Sequence, residues 1–153
     1  MKSKRVALRT TLTVASLITV FVSSTSTTYA GSSWSAHYTC SFGSGYSASV
    51  QVQKTTSTSG ASRRVTGVSF YTIPSSARVS YMYLKETPQP NPSGPAYGDA
   101  WWTWGAAQSI TKTDLTQFWW QPKASTIYGR VVLETTPSTT GNVSRSCAVN
   151  VPI

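Results

Sequence analysis

Few residues in this chain are able to do chemistry. Its acids are Glu86, Asp99, Asp114 and Glu134, its one histidine is His37, and its cysteines are Cys40 and Cys147. Cleaving a glycosidic bond needs two facing carboxyl groups, one to protonate the leaving oxygen and one to act as nucleophile or base. Asp99 is the best single candidate because it stands just before Trp101 and Trp102, whose rings can stack on a sugar, and Glu134 would be its partner. The competing reading is a turn aspartate following Gly98. A Ser-His-Asp arrangement has its residue types, yet no Gly-x-Ser-x-Gly turn exposes a serine. His37 is out of phase with Cys40 on an alternating strand, which turns it to solvent. With the two cysteines paired, a zinc site of His/Cys composition lacks ligands, and no cofactor is expected. Glu86 and Glu134 read as strand-end charges that discourage edge-to-edge association. The inventory points away from catalysis and toward binding.

The binding signal is aromatic. Five of the six tryptophans lie between Tyr97 and Trp120, in the knots Trp101-Trp102-Thr103-Trp104 and Phe118-Trp119-Trp120. Strand alternation sends Trp102 and Trp104 to one face and Trp101 to the other, and divides Trp119 from Trp120 in the same way. Some of these rings therefore fill a core poor in leucine and isoleucine, while others reach a contact surface, where tryptophan and tyrosine are enriched. The candidate binding residues are Tyr97, Asp99, Trp101, Trp102, Trp104, Trp119 and Trp120.

The elements that position them read as strands. Ala48, Val50 and Val52 alternate with polar residues, as do Val68 and Phe70, and this period of two marks strands with one buried face. From Arg78 to Glu86, Val79, Tyr81 and Tyr83 share one face and Met82 and Leu84 the other, which suits a central strand. Ile127, Val131 and Leu133 point inward from a late strand, and Cys147, Val149 and Val151 from the last. Gly43-Ser44-Gly45, Thr55 to Ser62, Pro74 to Ser76, the proline-rich Pro88 to Pro95 and Thr136 to Asn142 are the turns. Thr111 to Gln117 has room for one helical turn. This spacing predicts an all-β fold, a small disulfide-closed antiparallel β-sandwich, with a small β-barrel as the alternative.

Residues 1–30 are set apart as a signal peptide: Lys2, Lys4, Arg5 and Arg9, an apolar run from Leu12 to Val22, and Thr28-Tyr29-Ala30 as cleavage site. The apolar run is well short of the roughly 20 residues of a spanning helix, so no membrane span is expected. Residues 31–153 then form a single secreted domain. Without the four basic residues of the signal, the formal charge of +9 falls to +5. This balance suits anionic surfaces, but only Arg63-Arg64 is a basic doublet, so no nucleic acid is expected. In an oxidising compartment Cys40 and Cys147, both inward on their strands, join the first strand to the last. Asn142-Val143-Ser144 fits a glycosylation acceptor.

The signal, the single distant cysteine pair and the tryptophan-rich middle together resemble small secreted bacterial proteins of the kind that serve as the adaptor subunit of umbrella toxin particles. The resemblance implies a non-catalytic adaptor and assigns no residue a role. The expected function is that of a secreted binding protein engaging an extracellular protein partner, as an inhibitor or as an adaptor or subunit of an assembly. The segment Gly31 to His37 would be free to pair along a partner's sheet edge. A carbohydrate-binding module taking an extracellular polysaccharide is the alternative. A small glycoside hydrolase, built on Asp99 and Glu134 or on His37, ranks third.

Overall fold

The computed structural model describes residues 31–136 and 145–153. The expected signal peptide at 1–30, the Asn142-Val143-Ser144 triplet and most of the Thr136 to Asn142 turn lie outside the described residues. Among the described residues ten strands form two antiparallel sheets: β1 (Gly31–Trp34), β2 (Tyr38–Gly43), β3 (Tyr46–Thr56), β4 (Ser62–Ile73), β5 (Val79–Thr87), β6 (Asp99–Ala107), β7 (Ser109–Lys112), β8 (Gln121–Pro122), β9 (Tyr128–Thr135) and β10 (Ser146–Pro152). The six-stranded sheet is built on the long hairpin β3-β4, with β1 and β2 sharing the outer edge of β3, and β7 and β8 sharing that of β4. The four-stranded sheet has the order β10-β9-β5-β6. The architecture is the expected disulfide-closed sandwich, one sheet of which curls into a half-barrel.

Alternation explains the core. Ala48, Val50, Val52, Val65, Val68 and Phe70 from the first sheet meet Val79, Met82, Leu84, Val131, Leu133 and Val151 from the second, all of them buried. Burial of such side chains contributes about 1.5–3 kcal/mol each. The two sheets approach closely at Gly129, where an added Cβ would stand 2.9 Å from a Val52 methyl. Along one side the sheets are joined by the chain itself, which leaves β6, turns at Gln108 and enters β7, the Gln108 carbonyl accepting from the Thr72 amide at 2.9 Å. On the other side Cys40 on β2 and Cys147 on β10 are bonded, with their Cα atoms 5.6 Å apart.

Four sequence expectations are corrected by the structure. Val79 does not share a face with Tyr81 and Tyr83: the register of β5 against β6 and β9 shifts between Val79 and Tyr81, and this irregularity turns Val79 to the core side of Met82 and Leu84. Thr111 to Gln117 forms no helical turn, because Ser109–Lys112 pairs with Val68–Tyr71 of β4 instead. Gly31–Trp34 is not a loose segment but the edge strand of the six-stranded sheet, paired on one side with Gln53–Thr56 of β3. Glu86 is no strand-end surface charge: it is completely buried.

Candidate functional site

The site grows from the pairing of β5, β6 and β9. Tyr83 stands opposite Trp101 on one side and opposite Val132 on the other, and Val132 faces Ala148 of β10. Facing residues in antiparallel strands point the same way, so these four form one row across the outer face of the four-stranded sheet. The next row is Thr103, Tyr81, Glu134 and Ser146, and on the opposite side runs Asp99, Lys85, Arg130 and Asn150. The result is an aromatic and apolar centre with a polar border. Trp101 is 65% exposed, and Tyr81 and Tyr83 are half-buried beside it.

The proline-rich loop walls off one end of this face. The Lys85 ammonium donates to the Pro92 carbonyl at 3.2 Å and to that of Gly94, and Asn150 Nδ2 donates to the Pro90 carbonyl at 3.1 Å. These bonds hold the loop over the Lys85 row and leave the Tyr83 and Tyr81 rows accessible. The Tyr83 hydroxyl donates to Asp99 at 3.1 Å. Partial burial, followed by that hydrogen bond and the Asp99 charge, pushes the Tyr83 pKa up to about 12, and burial with the charges of Glu134 and Asp99 raises that of Tyr81. Both phenols therefore stay neutral over the physiological range and act as hydrogen-bonding tips on apolar rings.

Of the remaining candidates, those on β6 divide as strand alternation requires, while Tyr97, Trp119 and Trp120 lie outside the strands. Trp102 and Trp104 turn inward against the core. Trp104 stacks on Phe70 with centroids 6.1 Å apart, and its indole donates to the Val79 carbonyl at 2.6 Å. Tyr97 also packs on the core. Its amide donates to the Glu86 carbonyl, and its own carbonyl accepts from the Trp119 amide at 2.9 Å. Gly98, at φ +139°, allows this approach, since a Cβ there would meet the Gln117 carbonyl at 2.7 Å. Phe118 is buried and Trp119 is 67% exposed, while Trp120 is half-buried with the Arg64 guanidinium 4.8 Å over its ring. Thus Trp101 and Trp119 are the open rings of the belt.

The catalytic alternatives find little geometry. Asp99 and Glu134 share the outer face, but they lie on strands separated by β5 and are four residues apart along it, roughly 16 Å at the backbone. A glycosidase pair needs about 5–10 Å. His37 Nδ1 lies 2.9 Å from Ser49 Oγ and its ring meets Tyr71 edge-on, yet Asp99 bonds Tyr83 and Asp114 bonds Thr113, so neither acid orients that imidazole. Among the described residues no cluster of His, Cys, Asp and Glu is suited to a metal, and no helix is long and apolar enough to cross a membrane.

Glu86 sits behind the site, between the sheets. Its Oε2 accepts the Val65 amide of β4 at 2.9 Å, along the stretch of β4 that neither β7 nor β8 pairs. Oε1 is buried with no hydrogen-bond partner among the described residues. Burial pushes its pKa from 4.5 up to about 7, against the pull of the Val65 bond and the charges of Arg64 and Arg63. A carboxyl that holds its proton more tightly when folded contributes stability that is complete below about pH 4.5 and is lost as pH rises through about 7. We expect Glu86→Gln to abolish this component, so that the variant matches the parent at pH 4 and exceeds it at pH 8 by up to roughly 3.5 kcal/mol. Chemical denaturation of both proteins at the two pH values measures it; a constant difference across pH would contradict the buried-carboxyl account.

Sequence reasoning missed Tyr81 and Tyr83 as members of the face, since nothing in their own strand shows that Trp101 is their neighbour. The geometry defines a small disulfide-closed β-sandwich with an aromatic outer face. No protein-family model matches the chain, and comparison with characterised proteins and with solved structures returned no match either.

Proposed function

We propose that the chain is a secreted, non-catalytic binding protein whose outer four-stranded face engages an extracellular protein partner, as an inhibitor or as an adaptor or subunit of a larger assembly. The observation that carries this reading is Trp101, 65% exposed and backed by Tyr83, Tyr81 and Val132 in the middle of a polar border. Protein interfaces have this anatomy, an apolar centre with aromatic anchors and a polar rim. A tryptophan ring has only two side-chain torsions to fix on docking, so it offers a large contact area at low entropic cost.

A second reading, a carbohydrate-binding face, draws on the Tyr83 hydroxyl and Asp99 carboxylate beside the Trp101 ring, a ring to stack on and polar groups to reach sugar hydroxyls. The two are separated by capture from the native secretion medium on immobilised protein, with Trp101→Ala as control. A stoichiometric protein retained by the parent and lost from Trp101→Ala is the expected result. Retention of the chain on insoluble polysaccharide, or equal recovery by both proteins, would overturn the protein-partner reading.

A further inference from the structure

We infer that β6 is the pairing edge of a symmetric dimer, in which two copies of this chain join antiparallel along Asp99 to Gly105 and merge their four-stranded sheets into one. This goes beyond the partner reading, with which it shares Trp101.

The first ground is the contrast between edges. An exposed edge strand templates pairing with another chain unless it is short, charged, interrupted by proline or covered. The edges of the six-stranded sheet are divided among short strands, four residues in β1, six in β2, which the disulfide ties to β10, four in β7 ending at Lys112, and two in β8 ending at Pro122. The far edge of the other sheet, β10, is tied to β2 by the disulfide. By contrast β6 has nine residues, with neither charge nor proline after Asp99, and it keeps unbroken register with β5 over Asp99 to Thr103, the irregularity falling between Thr103 and Ala107.

The backbone phase supplies the second ground. The Tyr97 amide donates to the Glu86 carbonyl and the Glu86 amide to the Gly98 carbonyl. In an antiparallel ladder every second residue bonds the same neighbour. Ala100 and Trp102 therefore bond β5, and Asp99, Trp101 and Thr103 turn their N–H and C=O groups to the open side. Among the described residues nothing takes those groups. The open edge stops where the Trp119 amide occupies the Tyr97 carbonyl, and at its other end an added Cβ on Gly105 would meet no atom within 4 Å.

The third ground selects the occupant. Two copies related by an axis through Trp102 place Trp101 opposite Thr103 of the other copy, and Asp99 opposite Gly105 of the other copy. The one charge of the stretch then meets a residue without a side chain, and no like charges oppose one another. The seven residues between the Trp119 stop and Gly105 are matched by the same seven. Both Trp101 rings lie on the same outer face as diagonal neighbours, about 7–8 Å apart, and each covers apolar surface that the single chain leaves in water.

Sedimentation equilibrium of the oxidised chain across the micromolar range tests this, together with Thr103→Pro. Proline removes an outward N–H and no bond to β5, and edge strands tolerate it there. The expected result is a concentration-dependent doubling of mass for the parent, weakened at least about 100-fold in the variant. Independently of any variant, the Trp101 and Thr103 amides of the parent should exchange at least about tenfold more slowly where the mass has doubled than on dilution. A parent that stays monomeric, or a dimer whose Trp101 and Thr103 amides exchange as fast as in the monomer, overturns the inference. Loss of the dimer with partner capture intact leaves the proposed function standing, whereas loss of capture in Trp101→Ala with the parent monomeric assigns the edge and face to the partner alone.

Discussion

Replacing both cysteines, Cys40→Ala with Cys147→Ala so that no free thiol remains, is expected to cost the fold about 4 to 5 kcal/mol. The bridge closes a loop of 107 residues, and in the chain-entropy picture a loop of about 100 residues removes close to 4.7 kcal/mol of freedom from the unfolded chain. Total stabilities of about 5–15 kcal/mol make this a large fraction. The native state loses a further constraint, because the bond joins β2 of one sheet to β10 of the other. Thermal melting should fall by about 15 °C or more, on a scale of several degrees per kcal/mol for a domain of this size. The outer face carrying Trp101 lies away from the buried bridge, so binding by the folded fraction should be unchanged. An unaltered melting temperature, or lost binding at an unaltered one, would contradict this account.

The second large effect separates neighbours in the aromatic belt. Trp104→Ala is expected to destabilise the fold by about 3 kcal/mol or more, toward the range of about 3–5 for truncating a core aromatic. It removes the stack on Phe70 and leaves the Val79 carbonyl without its indole donor. Trp101→Ala, three positions away, should change stability by no more than about 0.5 kcal/mol, as surface substitutions do, and weaken partner binding by about 2 kcal/mol or more as a hot-spot residue would. The same contrast is expected between Phe118→Ala, which opens the core, and Trp119→Ala, which does not. Denaturant titration and binding to the captured partner read the two quantities. Equal destabilisation by all four changes would remove the contact face from the belt.

The sequence by itself determined the parts that depend on local periodicity and covalent chemistry. Alternation alone sorted Trp101 from Trp102 and Trp104, because successive side chains of a strand point to opposite sides whatever the strand pairs with; Trp119 and Trp120 also differ in exposure, but they lie in the irregular segment before β8, where strand alternation is not the cause. The inward phase of Cys40 and Cys147 and the count of two made the bridge legible, and the Gly43-Ser44-Gly45 and proline-rich turns marked strand ends. Only the tertiary structure decided which strands lie side by side. Register is a relation between distant segments: it set Tyr83 between Trp101 and Val132, held Asp99 and Glu134 too far apart for paired chemistry, and drew Gly31–Trp34 onto its own sheet. Irregular pairing moved Val79 across β5, since one shifted residue inverts every side chain on one side of it. Glu86 was misread for the same reason. A carboxyl group near a strand end looks solvated until a second sheet closes over it, and the Val65 amide that donates to it belongs to the stretch of β4 that neither β7 nor β8 pairs.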